Sequence, residues 1–207
     1  MKTLLINCSP KKSGSASGRL RDLMQPWVCG EAAALHTASV DADLLEKLRA
    51  ADNWIFFSPL YVDALPAHLL EGMLAIHRAS LPPPKVIFGV INCGFYEGEQ
   101  TRSALEVLGH WAAACGFRYG GGVGVGGGGA QATHPLTSRG PMRPILHALR
   151  QLAEQTGGAP AGPETTFTSV AFPRCLYRLA GEAGWRHDIR QGGGRPKDLH
   201  RRRPLET

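Results

Sequence analysis

Hydroxyl and ammonium groups are concentrated directly after the first apolar run of the chain, residues 3–6. They belong to Ser9, Lys11, Lys12, Ser13, Ser15 and Ser17. Serine hydroxyls, backbone N–H groups and the N-terminus of a helix that begins near Gly18 are donors suited to a phosphate group. The pattern therefore predicts a strand that leads into a phosphate-binding loop. A polar turn without a ligand is the alternative, because serine, glycine and proline are common in turns.

Two better-known phosphate motifs give no support to other nucleotide-binding folds. The chain contains no G-x-x-x-x-G-K-[ST], which argues against an ATPase or GTPase of the Walker type. A G-x-G-x-x-G pattern spans Gly122 to Gly127, but no helix with a suitably placed acidic residue follows it, so no NAD fingerprint is assigned. We expect the surrounding glycine-rich stretch to pass close to a flavin or a second subunit.

Composition indicates one globular domain without a metal centre. The chain has 207 residues, of which 43% are hydrophobic, and its longest apolar runs are far shorter than the ~20 residues of a membrane span. Its five cysteines form no C-x-x-C pair, and its eight histidines show no metal-binding spacing. We therefore expect reduced thiols, no metal, no membrane partner and a cytoplasmic location.

Positive charge is concentrated at the end of the chain. The formal net charge is +6, and seven lysine and arginine residues cluster between Arg186 and Thr207. Such a tail can attract nucleic acid, an acidic partner or an anionic substrate. It lacks the interleaved aromatic residues of a single-strand binder, so we expect no specific nucleic acid. A solvated tail, or one packed on a neighbouring subunit, is favoured.

Apolar periodicity predicts strands and helices that alternate five times. The expected strands are residues 2–8, 32–36, 53–57, 85–93 and 118–125. The expected helices are residues 19–28, 43–51, 68–77, 101–115 and 142–156. This alternation is typical of an α/β, doubly wound parallel sheet that is covered by helices on both faces. In such sheets ligands bind at the carboxyl ends of the strands, so loops 9–17, 58–66 and 92–100 should converge on one site.

Four short motifs carry a resemblance to a known family. They are Ser9-Pro10-Lys11 with Ser15-Ala16-Ser17, Ser58-Pro59-Leu60-Tyr61 with Pro66, Asn92-Cys93-Gly94-Phe95, and the ending from Phe172-Pro173-Arg174 to Arg203. Together they resemble the flavodoxin-like, FMN-binding NAD(P)H-dependent oxidoreductases, the NADPH-dependent FMN reductase and multimeric flavodoxin group. The resemblance covers almost the whole chain. It implies a five-stranded sheet of order 2-1-3-4-5, FMN as cofactor and NAD(P)H as electron donor.

The same resemblance implies which residues hold the cofactor. Those implied for the phosphate are Ser9, Lys11, Ser15, Ala16 and Ser17. Those implied along the ribityl chain and isoalloxazine are Pro59, Leu60, Tyr61 and Val62, and those implied as backbone donors near the pyrimidine edge are Asn92, Cys93, Gly94 and Phe95. The family more often has asparagine where this chain has Ala16, which predicts weaker FMN binding. No catalytic side chain is assigned.

These observations favour an FMN-dependent enzyme that passes electrons from NAD(P)H to a quinone, nitro, azo or flavin acceptor. Residues 1–157 are expected to form the FMN domain, and residues 158–207 an extension packed on that domain or on a partner subunit in a homodimer or homotetramer. Two alternatives stay open: a flavodoxin-type electron carrier, and a flavin-free binding or regulatory relative. The sequence pI of about 9.3 disfavours a carrier that docks through an acidic face.

Overall fold

A six-stranded parallel sheet forms the centre of the computed structural model, which describes residues 1–82, 86–128, 140–158 and 162–200. Its strands are β1 (Thr3–Asn7), β2 (Gly30–Ala34), β3 (Asn53–Pro59), β4 (Val86–Asn92), β5 (Arg118–Val125) and β6 (Glu164–Thr168). They lie in the order β2-β1-β3-β4-β5-β6, and every neighbouring pair is parallel. The predicted doubly wound α/β architecture is therefore confirmed.

The helices follow the strands along the chain. They are α1 (Ala16–Met24), α2 (Ala42–Ala50), α3 (Ala67–Arg78), α4 (Arg102–Ala114), α5 (Arg143–Gly157) and α6 (Arg174–Gln191), with short 3-10 turns at Gln25–Trp27, Gly98–Thr101 and Pro196–His200. Helix α1 begins earlier than the sequence predicted. The Ser15 hydroxyl accepts a hydrogen bond from the Gly18 N–H, which caps the first turn at Ala16.

The prediction of five strands was wrong, because β6 pairs in parallel with β5 along the edge of the sheet. Its residues, ETTFT, are half exposed or exposed and contain a single large apolar side chain, so no apolar run marks them as a strand. Threonine and phenylalanine nevertheless favour a pleated, half-buried surface. Strand β2 likewise begins at Gly30, two residues before its predicted start.

The central strands are buried along their whole length. Every residue of β1, β3 and β4 is buried, as expected for parallel strands covered on both faces. Edge-to-face ring contacts join β3 to α4 and to the segment that follows it: Phe56 packs against Trp111 of α4 at 5.7 Å, and Trp54 packs against Phe117 at 5.3 Å between ring centroids. The buried strands β1, β3 and β4 form the part of the sheet from which the loops of the predicted site leave.

The chain divides into two compact units, Met1–Ala171 and Phe172–Thr207. The first unit includes β6 and therefore extends beyond Gly157, where the sequence analysis ended the FMN domain. In the second unit, α6 leaves Leu176, Leu179 and Trp185 exposed. None of the helices within the described ranges is both long and apolar enough to cross a membrane.

Candidate functional site

The loop between β1 and α1 buries its first and last serines and exposes its lysines. Ser9 and Ser15 are buried, whereas Lys11 is exposed. The Ser9 hydroxyl accepts a hydrogen bond from the Lys11 N–H at 3.2 Å, and the Ser15 hydroxyl accepts one from Gly18 at 3.0 Å. The hydroxyls thus fix the backbone of the loop, and each keeps its own proton as a donor.

The same loop presents backbone donors and positive charge and contains no carboxylate of its own. Among the described residues, the backbone N–H groups of residues 12–17 have no intrachain acceptor, and residues 8–21 include no aspartate or glutamate. Gly14 takes a left-handed φ of 62°, and a Cβ placed there would lie 3.9 Å from the Lys11 Nζ. The ammonium group therefore folds back over the loop. This donor set suits a phosphate group.

Asn92, the last residue of β4, connects the three loops that were predicted to converge. Its Oδ1 accepts a 2.7 Å hydrogen bond from the Ser17 hydroxyl in the first turn of α1. Its carbonyl accepts a 2.8 Å hydrogen bond from the N–H of Leu60, which follows β3. All three residues are buried. The Ser17 hydroxyl donates its proton to Asn92. Ser17 therefore holds the phosphate loop in place and has no hydroxyl proton left for a ligand.

A two-residue hairpin turn follows Pro59 and Leu60 at the end of β3. Tyr61 and Ala64 exchange backbone hydrogen bonds of 2.9 and 3.1 Å, while Val62 and Asp63 between them have φ values of 50° and 56°. These are the angles of a type I′ turn, which normally contains asparagine or glycine. Tyr61 is 48% exposed and Val62 is 98% exposed. The turn therefore presents an aromatic and an aliphatic side chain to solvent beside the site.

The loop after β4 is attached to the end of β5 by its backbone. The Cys93 N–H donates to the Val125 carbonyl at 2.9 Å, and Gly127 donates to the Phe95 carbonyl at 2.6 Å. Cys93 was expected to supply a backbone donor near the pyrimidine edge of the flavin; in the structure its N–H is bonded to the Val125 carbonyl. Gly94 has no neighbouring atom within 4 Å of a built Cβ, and the Phe95 ring is 53% exposed. Gly94 and Phe95 therefore border open space.

The Cys93 thiol is neutral and buried. Desolvation is the largest cause and raises its pKa; the backbone hydrogen bond with Phe95 lowers the pKa, and nearby acidic residues raise it. Its Sγ lies 3.5 Å from the Glu97 carbonyl, to which the thiol donates. A neutral, hydrogen-bonded thiol is a packing group and not a nucleophile at neutral pH.

The glycine-rich stretch approaches the chain itself. A Cβ on Gly126 would lie 2.2 Å from the Tyr96 carbonyl, so only glycine allows the β4 loop to pack this closely on the end of β5. The expectation that this stretch passes close to flavin or to a second subunit has no support at Gly126. The first four residues of the G-x-G-x-x-G pattern, 122–125, belong to β5, so its first two glycines lie within a strand.

Three further residues hold the start of the phosphate loop, and the sequence analysis missed them. The Asn7 Oδ1 accepts the Ser9 N–H at 3.2 Å. His36 Nδ1 lies 2.6 Å from the Ser9 carbonyl, and His68 Nε2 lies 3.1 Å from the Cys8 carbonyl. Because a carbonyl only accepts, the Nδ1 of His36 and the Nε2 of His68 each carry a proton. The role of Asn7 could have been predicted, because it is a polar residue at the end of an apolar strand. The two histidine contacts could not, because they join segments that are far apart in the chain.

The described part of the chain contains no group of three histidine, cysteine or acidic residues that could hold a metal ion. All five cysteines are free thiols.

No protein-family model matches the chain, and no curated protein matches it in sequence. Solved structures do match it. An NADPH-quinone reductase from P. pentosaceus is 16% identical, covers 77% of this chain and 99% of its own, and has a TM-score of 0.55. An NAD(P)H:quinone oxidoreductase from Methanothermobacter marburgensis is 14% identical over 76% and 96% of the two chains, also with a TM-score of 0.55.

A flavodoxin from Streptococcus pneumonia TIGR4 is 14% identical over 76% of this chain and 98% of its own, with a TM-score of 0.51. At these identities the likeness defines the fold alone. The chain has a flavodoxin-like fold, as predicted, with a sixth strand added at the edge after β5.

Proposed function

We propose that the chain is an FMN-dependent oxidoreductase that transfers electrons from NAD(P)H to a small-molecule acceptor of the quinone, nitro, azo or flavin class. The observation that carries the proposal is the acid-free loop of residues 9–17, whose free N–H donors lie at the same sheet edge as the β3 and β4 loops. A ligand with a phosphate at one end and a planar ring at the other matches this arrangement.

The residues present fit a terminal monophosphate. The N–H groups of residues 12–17, the hydroxyls of Ser9 and Ser15 and the Lys11 ammonium would hold it. Ala16, the first residue of α1, contributes only its backbone N–H, so one side-chain contact is missing. The sequence contains nothing that resembles an adenine-binding half, which favours FMN over FAD.

The residues of the β3 and β4 loops would surround the ring. Tyr61 and Val62 project from the turn after Pro59 and Leu60, and Gly94 and Phe95 border open space after Asn92 and Cys93. Bound FMN supplies hydride acceptance and electron transfer, whereas the chain supplies orientation and electrostatics. The buried Asn92 junction fixes the spacing between the phosphate loop and the ring loops. No side-chain acid or base is assigned.

The absorption spectrum of the purified protein, with mass spectrometry of the released cofactor, tests the proposal. Extracted FMN, followed by repeated turnover of NADH or NADPH with a quinone, is the expected result. FAD, or no flavin after reconstitution with excess FMN, would overturn the assignment. Flavin reduction without repeated turnover on any acceptor would instead identify an electron carrier.

We also propose that the second unit joins copies of this chain into a homodimer or homotetramer. Helix α6 leaves Leu179 65% exposed and Trp185 62% exposed, and none of its residues is buried. An isolated helix with two internal glycines is marginal in water, so a partner surface would stabilise it. Replacing Leu179 and Trp185 with glutamate should lower the sedimentation coefficient of the full chain. A monomeric parent chain at micromolar concentration would overturn this proposal.

A further inference from the structure

An open groove lies between α1 and α5, away from the loops described above. Its volume is about 780 Å³. It is lined by Leu23 and Trp27 on one side and by Arg143, Pro144, Leu146, His147 and Arg150 on the other, with Gly140 and Ala171 completing the lining. Leu23 lies seven residues beyond Ala16, which is about 10 Å along the α1 axis. The groove is therefore separate from the start of α1, where the phosphate loop ends.

The chemistry of this groove is apolar at its floor and positive at its rim. Trp27 and Leu146 are partly exposed, whereas Arg143 and Arg150 are exposed two turns apart on one face of α5. Neither arginine forms an ion pair with any other described residue, and no carboxylate is among the lining residues. The Arg150 guanidinium lies 5.1 Å from the centroid of the Trp27 ring. This contact orients a positive charge beside an aromatic surface.

We propose that the groove binds an anionic aromatic small molecule at a site distinct from the FMN site. The Trp27 indole and the Leu23 and Leu146 side chains offer an apolar surface for a ring. Arg143 and Arg150 offer charge-assisted hydrogen bonds to a carboxylate or sulfonate. The volume falls within the range of about 300–1,000 Å³ that is typical of small-molecule sites. An acidic segment of a partner protein, or a second copy of the chain, is the competing occupant.

The probe for this site is 8-anilinonaphthalene-1-sulfonate, added to the full chain before and after saturation with FMN. Its uncharged relative N-phenyl-1-naphthylamine is the matched control ligand. We expect saturable fluorescence enhancement by the sulfonate at one site per chain, unchanged by FMN. Arg150→Gln and Arg143→Gln should each weaken sulfonate binding about tenfold, as expected for loss of one charge-assisted bond, and leave the uncharged probe unaffected. Trp27→Leu should weaken both probes.

Arg78→Gln, at the end of α3, is the matched control for the loss of one positive charge and should leave both probes unaffected. Displacement of the sulfonate by FMN, or equal affinity in the parent chain and the Arg143 and Arg150 variants, would overturn the proposal. A change of sedimentation coefficient in the arginine variants with unchanged probe binding would identify the groove as an interface and also overturn it. The readout needs no flavin, so the proposal can fail or stand independently of the FMN assignment.

Discussion

The Ser17 hydroxyl donates a 2.7 Å hydrogen bond to the Oδ1 of Asn92, although 75 residues separate the two in the chain. Ser17 is 1% exposed and Asn92 is 6% exposed, so water does not compete for this bond. Because Asn92 also binds the Leu60 N–H through its carbonyl, the contact sets the position of α1 relative to both neighbouring loops. The phosphate loop and the ring loops are therefore joined through Asn92 into one hydrogen-bonded unit.

Replacing Ser17 with alanine should weaken the whole unit. The Asn92 Oδ1 would be left buried without its donor, which costs about 1–3 kcal/mol of the free energy of unfolding. We expect weaker binding of both FMN and riboflavin, because the ring loops lose their support together with the phosphate loop. Chemical denaturation and flavin fluorescence quenching measure the two effects.

Lys11→Gln is the matched control for Ser17→Ala, because it changes a side chain that would contact the phosphate and not one that supports the loop. The lysine is exposed, so the free energy of unfolding should stay within about 0.5 kcal/mol. FMN should bind more weakly, whereas riboflavin, which lacks the phosphate, should bind unchanged. If Ser17→Ala also affected FMN alone, the Asn92 contact would have no influence on the ring site.

Gly94→Leu should block the ring site without unfolding the chain. A Cβ atom at Gly94 meets no atom within 4 Å, so the expected change in the free energy of unfolding is below about 0.5 kcal/mol. The leucine would occupy the space assigned to the flavin, and the loss of FMN binding free energy should be at least about 1 kcal/mol. Gly158→Leu, at another open glycine, is the control and should leave FMN binding unchanged. Normal FMN affinity in Gly94→Leu would place the ring elsewhere.

The predictable part of the fold was the part with a strong apolar signal. Strands β1, β3 and β4 are buried on both faces and read as continuous apolar runs, and the rule that parallel strands end at one edge brought their loops together. Strand β6 was missed because its threonines carry little apolar signal and its pairing with β5 is a tertiary contact.

The same distinction applies to the site. Serines and lysines near Ser9 were visible as a local pattern, whereas the Ser17–Asn92 bond and the His36 contact with the Ser9 carbonyl depend on side-chain directions that only the assembled sheet defines. The bond between the Cys93 N–H and Val125 was likewise invisible, since register between β4 and β5 cannot be read from either segment.

Cys93 should react slowly with alkylating reagents. Burial raises the pKa of its thiol, so the reactive thiolate is scarce at pH 7.5. Iodoacetamide should label the exposed Cys29 and Cys175 first, and Cys93 should remain largely unmodified, as should the fully buried Cys8. Peptide mass spectrometry over time measures this order. Labelling of Cys93 as fast as Cys29 would show that the β4 loop opens in solution.

Tyr119 should make the protein sensitive to alkaline pH. Burial raises the pKa of its phenol to about 12, so below pH 10 both the folded and the unfolded forms keep the proton. Above pH 10 the unfolded form ionises first, and stability falls as pH rises toward 12. Tyr119→Phe should remove this part of the decline, because phenylalanine has no ionisable hydroxyl. Parallel slopes for the two proteins between pH 9 and 11.5 would contradict this.

Val62→Asn should stabilise the fold and weaken the site. A β-branched residue in the left-handed region costs about 1–2 kcal/mol, and Val62, at φ 50° and 98% exposed, has no packing to offset that cost. Asparagine suits the first central position of a type I′ turn, so the free energy of unfolding should rise by about 0.5–1 kcal/mol. Strained positions tend to occur at functional sites, and loss of the apolar side chain should weaken FMN binding.

Val107→Asn, at an exposed helical valine of α4, should give neither effect. A gain in stability with unchanged FMN affinity would mean that the turn lies outside the flavin site.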